Sequence, residues 1–306
     1  MSLRHLEREF HAMKNLSTRF TPASLPGLVV VSAVVVFLLA SVANPYASAQ
    51  EGFGPIDATL PAGLTSQQIV DKFAARESVF DVARRNYTWQ RSVKVDTIND
   101  DTNKVDGEYY EVTDIVFGED GKRAEHVVFA PQNTLQRVMM SPADFQDIEH
   151  RLPFILTTED LPQYDITYVG RQHVDEIDTY VFDAKPKVIE KNHRYFQGRV
   201  WVDQQDFQIV LVNGKNVPDD LRKGHEDLSP PFTTYYGQVD GKYWFPIYTK
   251  AEGILHFGLE GGGDVHLRSV VKYTDYKQFH TSSRIIYNGQ DITNNKTPDD
   301  SGKQTK

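Results

Sequence analysis

The chain has 306 residues, 40% of them hydrophobic and 25% charged, which is ordinary for a globular protein of one large domain or two small ones. It holds no cysteine, so disulfides, thiolate metal sites, thiol nucleophiles and a lipid-anchored cysteine are all excluded. The net charge of -9 argues against a nucleic-acid binder, and the mean hydropathy of -0.47 excludes a polytopic membrane protein.

The first fifty residues carry the clearest signal. A charge-free apolar run spans Leu28 to Ala43, preceded by Arg4, Arg8, Lys14 and Arg19 and followed by Ala47-Ser48-Ala49. A basic flank, a short apolar run and an Ala-x-Ala end compose a secretory signal peptide, so residues 1–49 are expected to be removed on export. The run is shorter than the roughly 17–25 apolar residues of a spanning helix. An uncleaved N-terminal anchor facing the periplasm is the alternative. Both place the remaining chain outside the cytoplasm, and the missing cysteines fit a bacterial envelope.

Residues 50–64 are rich in glycine and proline and are expected to be a linker. Thr65 and Gln68 then form a capping box, and Ile69, Phe73, Phe80 and Ala83 recur at helical spacing to about Arg85. From Tyr87 the period changes to two. Alternation predicts strands over 88–98, 107–117, 122–131, 164–173, 179–185, 194–203, 207–213, 233–239, 242–251 and 264–279. Asp120-Gly121 and Asp240-Gly241 mark hairpin turns. One helix interrupts the series: Ser141-Pro142 opens it, Phe145, Ile148 and Leu152 form its stripe, and Pro153 stops it. Residues 288–306 lack apolar periodicity and are expected to be a disordered tail.

The segment Thr179–Lys215 is the most specific. Its Val200-Trp201-Val202-Asp203 strand returns as Phe207-x-Ile209-Val210, and a second hairpin reads Asp240-Gly241-Lys242-Tyr243-Trp244-Phe245-Pro246. These hairpins resemble the LolA/LolB/RseB-like superfamily, whose LolA-type members are periplasmic lipoprotein-sorting carriers. The resemblance extends loosely over 65–279 and implies an α+β, mostly β fold for a domain at 65–287. Its sheet would be a curved antiparallel half-barrel, unclosed, with helices covering the concave face. It also implies a non-enzymatic carrier that shelters the acyl chains of lipoproteins or lipids, with inner- and outer-membrane proteins as partners and no cofactor. An envelope regulatory or interaction module without a lipid ligand is the alternative on the same fold.

Strand parity then sorts the side chains. Tyr180, Phe182 and Ala184 fall on one face, as do Phe196, Val200 and Val202. Tyr243, Phe245 and Ile247, and Val265, Leu267 and Val271, are expected to join them on the concave side. Alternation does not separate a packed core from an open acyl cavity, and both readings stand. His256 and His266, taken to oppose each other across a turn at Gly261 with Glu252 on the same face, are the one histidine pair compatible with zinc. No HExxH, GxSxG or phosphate-loop motif supports a catalytic centre, so an ordinary cross-strand pair is the simpler reading.

Overall fold

The computed structural model describes residues 52–117, 122–150, 153–191, 193–219, 230–256 and 263–279, with two short strands at 286–287 and 290–291. The expected export segment 1–49, the Glu119–Gly121 turn, Leu152 and the expected tail apart from Gln290–Asp291 lie outside them. The chain begins with α1 (Ser66–Arg84), capped as its sequence dictates: Thr65 accepts from the Gln68 N–H, and the Gln68 side chain accepts from the Thr65 N–H. Strands β1 (Tyr87–Asn99), β2 (Lys104–Phe117) and β3 (Arg123–Phe129) follow, then α2 (Pro142–His150). After a 3-10 turn at Leu161–Gln163 the chain forms β4 (Tyr164–Val174), β5 (Ile177–Pro186), β6 (Tyr195–Asp203) and β7 (Ile209–Val217). The series continues with β8 (Phe232–Val239), β9 (Tyr243–His256) and β10 (Asp264–Gln278).

These ten strands make one antiparallel sheet in the order β3-β2-β1-β10-β9-β8-β7-β6-β5-β4. The meander from β4 to β10 meets the N-terminal hairpins along the β1–β10 ladder, where Val93 pairs with Val271. The end strands β3 and β4 are not neighbours, so the barrel is open. A ten-stranded twisted sheet must curl, and its inner face needs a cover. Two elements supply it. Helix α1 presents Ile69, Val70, Phe73, Ala74 and Phe80, and the segment 138–164, which contains α2, presents Val138, Ile148, Phe154 and Leu156.

Residues 52–57, expected as part of a linker, run along the free edge of β4. Phe53 bridges to Val174 and Asp57 to Arg171, and the Phe53 ring meets Trp201 edge-on at 5.9 Å. This strap covers one of the two exposed strand edges that an open sheet leaves.

Candidate functional site

The inner face is organised as a cross-strand row. Tyr168 pairs with Phe182, Phe182 with Val200, and Val200 with Val212. Val212 then pairs with Thr234, Thr234 with Thr249, and Thr249 with Val271. Directly opposed residues share a face, so this one row runs from β4 across to β10, and the Val271–Val93 pair carries it on to β1. Its two threonines satisfy each other through a 2.8 Å hydroxyl hydrogen bond. Beside the row lie Tyr180, Phe196, Val202, Val265 and Leu267, all in the same buried cluster. Tyr243 and Phe245 sit lower on the same side and contact the Phe80 ring of α1.

Ile247 departs from the expected placement. Tyr235 pairs with Tyr248 but Tyr236 with Pro246, so β9 takes two steps against one on β8. Ile247 is the extra residue of this bulge, and its side chain lies over Gly237 on the outer face. A matching bulge on β7 puts Leu211 opposite Trp201 and Ile209 opposite Val202, and turns Val210 outward.

The interior is packed at these positions. Val200 is 1% exposed, and Val202, Leu267 and Val271 are 0% exposed. A surface that admits no water-sized sphere has no room for a methylene chain. The roof fills it instead: Phe73 meets Phe182 at 5.5 Å, and Phe154 stacks on Phe196 at 4.2 Å.

The roof is fastened by a few buried polar contacts. At the β7 bulge the Ile209 N–H donates to Glu77 Oε1 at 3.0 Å. Glu77 is 2% exposed, and burial, outweighing the Ile209 hydrogen bond and the nearby Arg84 and Arg76, pushes its carboxyl up to about 8. Helix α2 carries Asp147, which pairs with Arg194 at 2.6 Å and accepts from Asn216 Nδ2 at 3.1 Å. Glu149 lies 3.7 Å from the buried Arg91. The Tyr236 hydroxyl donates to the Phe154 carbonyl at 2.6 Å. Glu77 and Asp147 escaped the sequence reading, although Glu77 falls four residues after Phe73 and three before Phe80, on the buried stripe itself.

A polar pocket of about 360 Å³ opens at the roof margin between Asp81, Arg84, Glu159, Asp160, His193 and Arg194. The histidine pair does not assemble as expected: His256 opposes Asp264, and His266 opposes Ile254. Each imidazole takes carboxylates instead, His256 from Asp264 at 3.0 Å and His266 from Glu252 at 2.8 Å and Asp100 at 3.3 Å. Among the described residues no group of three or more His, Asp or Glu is placed to hold a metal ion. No helix among them is long and apolar enough to cross a membrane.

No family model matches the chain, and no curated protein does. Solved structures do. A DUF1329 family protein from Desulfovibrio piger is 17% identical with a TM-score of 0.35, over 69% of this chain and 92% of that one. A LolA superfamily protein from Nitrosomonas europaea is 19% identical with a TM-score of 0.29, over 71% and 95%. The Pseudomonas aeruginosa MucA/MucB complex is matched at 8% identity and a TM-score of 0.17, over 67% and 99%. The fold itself, an open antiparallel half-barrel with a helical roof, stands on the strand order and the roof contacts.

Proposed function

We propose that this chain is a non-enzymatic binding protein of the bacterial envelope, which shelters acyl chains of lipoproteins or lipids against the inner face of its half-barrel. The observation that supports this reading is the inner row itself. It is a continuous strip of mostly apolar side chains covered by helices and not by a second sheet. The described state is then the closed, unloaded one, and acyl chains take the place of Phe73, Phe154 and their neighbours when the roof lifts. Export through residues 1–49 and membrane proteins as donor and acceptor complete the proposal.

The tight interior favours a second reading, an envelope regulatory or interaction module whose roof never lifts. Native mass spectrometry of the protein purified from the envelope separates the two. Co-purified acyl-bearing ligand, released on denaturation, supports the carrier. Ligand-free protein that also fails to take up a synthetic diacyl lipopeptide overturns it and leaves the module. The same spectrum reads the N-terminus: a chain starting at Gln50 supports cleaved export, and one retaining Leu28–Ala43 makes the protein membrane-anchored.

A further inference from the structure

The outer face of the sheet carries a second apolar row, independent of the inner one. Val181 pairs with Trp201, Trp201 with Leu211, Leu211 with Tyr235, and Tyr235 with Tyr248. The strap covers the start of this row, since Phe53 sits on Trp201. Beyond the strap the row is left as a groove of about 420 Å³, within the size range of small-molecule sites. Ile247 contributes aliphatic surface over a nearly buried floor of Val210 and Leu211, and Tyr235, Tyr248 and Trp244 contribute aromatic surface. The phenol rings of Tyr235 and Tyr248 lie 6.1 Å apart and inclined by 50°, forming a V-shaped wall.

The charges around this wall are specific. The β4–β5 turn brings Asp175 and Glu176 to the rim of the same groove, and burial, with the Asp175 charge adding to it, raises the pKa of the Tyr235 phenol. Lys250 lies across Tyr235 with its ammonium 5.8 Å from the ring centroid. The structure therefore already places a cation on this ring, held by an exposed side chain that solvent can take back. Aromatic faces attract ammonium ions through the ring quadrupole, and a nearby carboxylate adds to that attraction.

We propose that this outer groove binds a small organic ammonium ion bearing an apolar group, its charge on the Tyr235–Tyr248 wall near Asp175 and its apolar part over Leu211 and Ile247. The ligand displaces the Lys250 ammonium from Tyr235. Bulges on β7 and β9 are what create the site, because they turn Val210 and Ile247 outward where regular strands would turn them in. The site does not depend on the inner face binding acyl chains.

Isothermal titration of the full chain with benzyltrimethylammonium tests the assignment, with benzyl alcohol and benzenesulfonate as neutral and anionic counterparts. The cation is expected to bind about tenfold more tightly than benzyl alcohol, and benzenesulfonate not to bind. Tyr235→Leu and Asp175→Asn should each weaken the cation about tenfold, while Lys250→Met should strengthen it. Asp175 has φ 49°, a conformation asparagine tolerates, so Asp175→Asn keeps the turn and serves even if Tyr235→Leu perturbs folding. Val127→Ala, at an exposed position of β3 far along the sheet from the groove, should leave the affinity unchanged. Equal affinity for cation and benzyl alcohol, indifference to Asp175→Asn, or no binding of benzyltrimethylammonium would overturn the proposal.

Discussion

Replacing Glu77 by glutamine isolates what it costs to ionise a carboxyl inside this core. Glu77 is buried under the roof and accepts the Ile209 N–H, a bond that a protonated acid, a carboxylate or an amide oxygen can all accept. Burial raises its folded-state value from 4.5 to about 8. Between those two pH values the folded chain holds a proton that the unfolded chain has lost. Stability therefore falls as pH rises through that window, by about 1.4 kcal/mol per pH unit, and levels off above it. Over the whole window this amounts to about 5 kcal/mol, comparable to the total stability of many domains. Glu77→Gln removes the titration and keeps the acceptor. Urea unfolding followed by tryptophan fluorescence from pH 4.5 to 9 gives the difference between the two proteins directly. The variant should match the parent near pH 4.5 and exceed it by several kcal/mol at pH 9. Glu77→Ala, which leaves the Ile209 N–H without its acceptor, should instead cost about 1–3 kcal/mol at low pH. A stability difference between the parent and the Glu77→Gln variant that does not change with pH would refute the buried-carboxyl reasoning.

Three further outcomes follow from the same packing. Val200→Phe adds volume where the side chain is 1% exposed, so it should destabilise by about 1–3 kcal/mol in thermal unfolding; an unchanged melting temperature would reveal free space beside Val200. Asp147→Ala takes a carboxylate from the Arg194 guanidinium, whose side chain is 12% exposed, and should cost about 3–5 kcal/mol, read by the same urea assay. Phe53→Ala removes the strap's ring from Trp201 and should raise hydrogen exchange at the amides of Arg171 and Asp175, which bond to strap carbonyls, while the β1–β10 amides stay protected.

Period-two alternation carried most of this fold in plain view. It sorts Phe182 and Val200 from Val181 and Trp201 because a regular strand has no choice about which way successive side chains point. It fails at Ile247 because a bulge inserts one residue and breaks the phase; Pro246, which cannot donate to a ladder and sits inside a central strand only at a bulge, was the signal available there. The strap failed for a different reason. Glycine and proline in 52–57 describe a chain that forms no element alone, and pairing along β4 appears only once β4 has an open edge. Glu77 was legible in principle: helical spacing put it on the buried stripe, and its charge argued for the opposite side. The β7 bulge, which offers the Ile209 N–H to it, is what resolves that conflict. The two histidines were misplaced because parity does not fix the point about which β9 and β10 pair.

Lifting the roof sets a threshold that a ligand must exceed, and the threshold predicts which ligands succeed. Helix α1 buries Ile69, Val70, Phe73 and Phe80, at about 1.5–3 kcal/mol each, or about 6–12 kcal/mol for the helix. A sixteen-carbon chain transferred from water contributes about 0.8 kcal/mol per methylene, or about 12 kcal/mol, before several kcal/mol of ordering cost. One acyl chain therefore only balances the seated helix, whereas two exceed it by about 10 kcal/mol and three by about 20 kcal/mol. The carrier reading thus expects palmitate to bind weakly and a synthetic diacyl or triacyl lipopeptide to bind at least about a thousandfold more tightly, measured by displacement of a fluorescent lipid. At pH 4.5, where Glu77→Ala loosens the helix by removing the acceptor of the Ile209 N–H, it should narrow that gap by strengthening palmitate. If palmitate binds as tightly as the diacyl lipopeptide, the ligand is not displacing α1 and the inner row is not the site. If neither binds, the roof does not lift, and the half-barrel works through its outer surfaces.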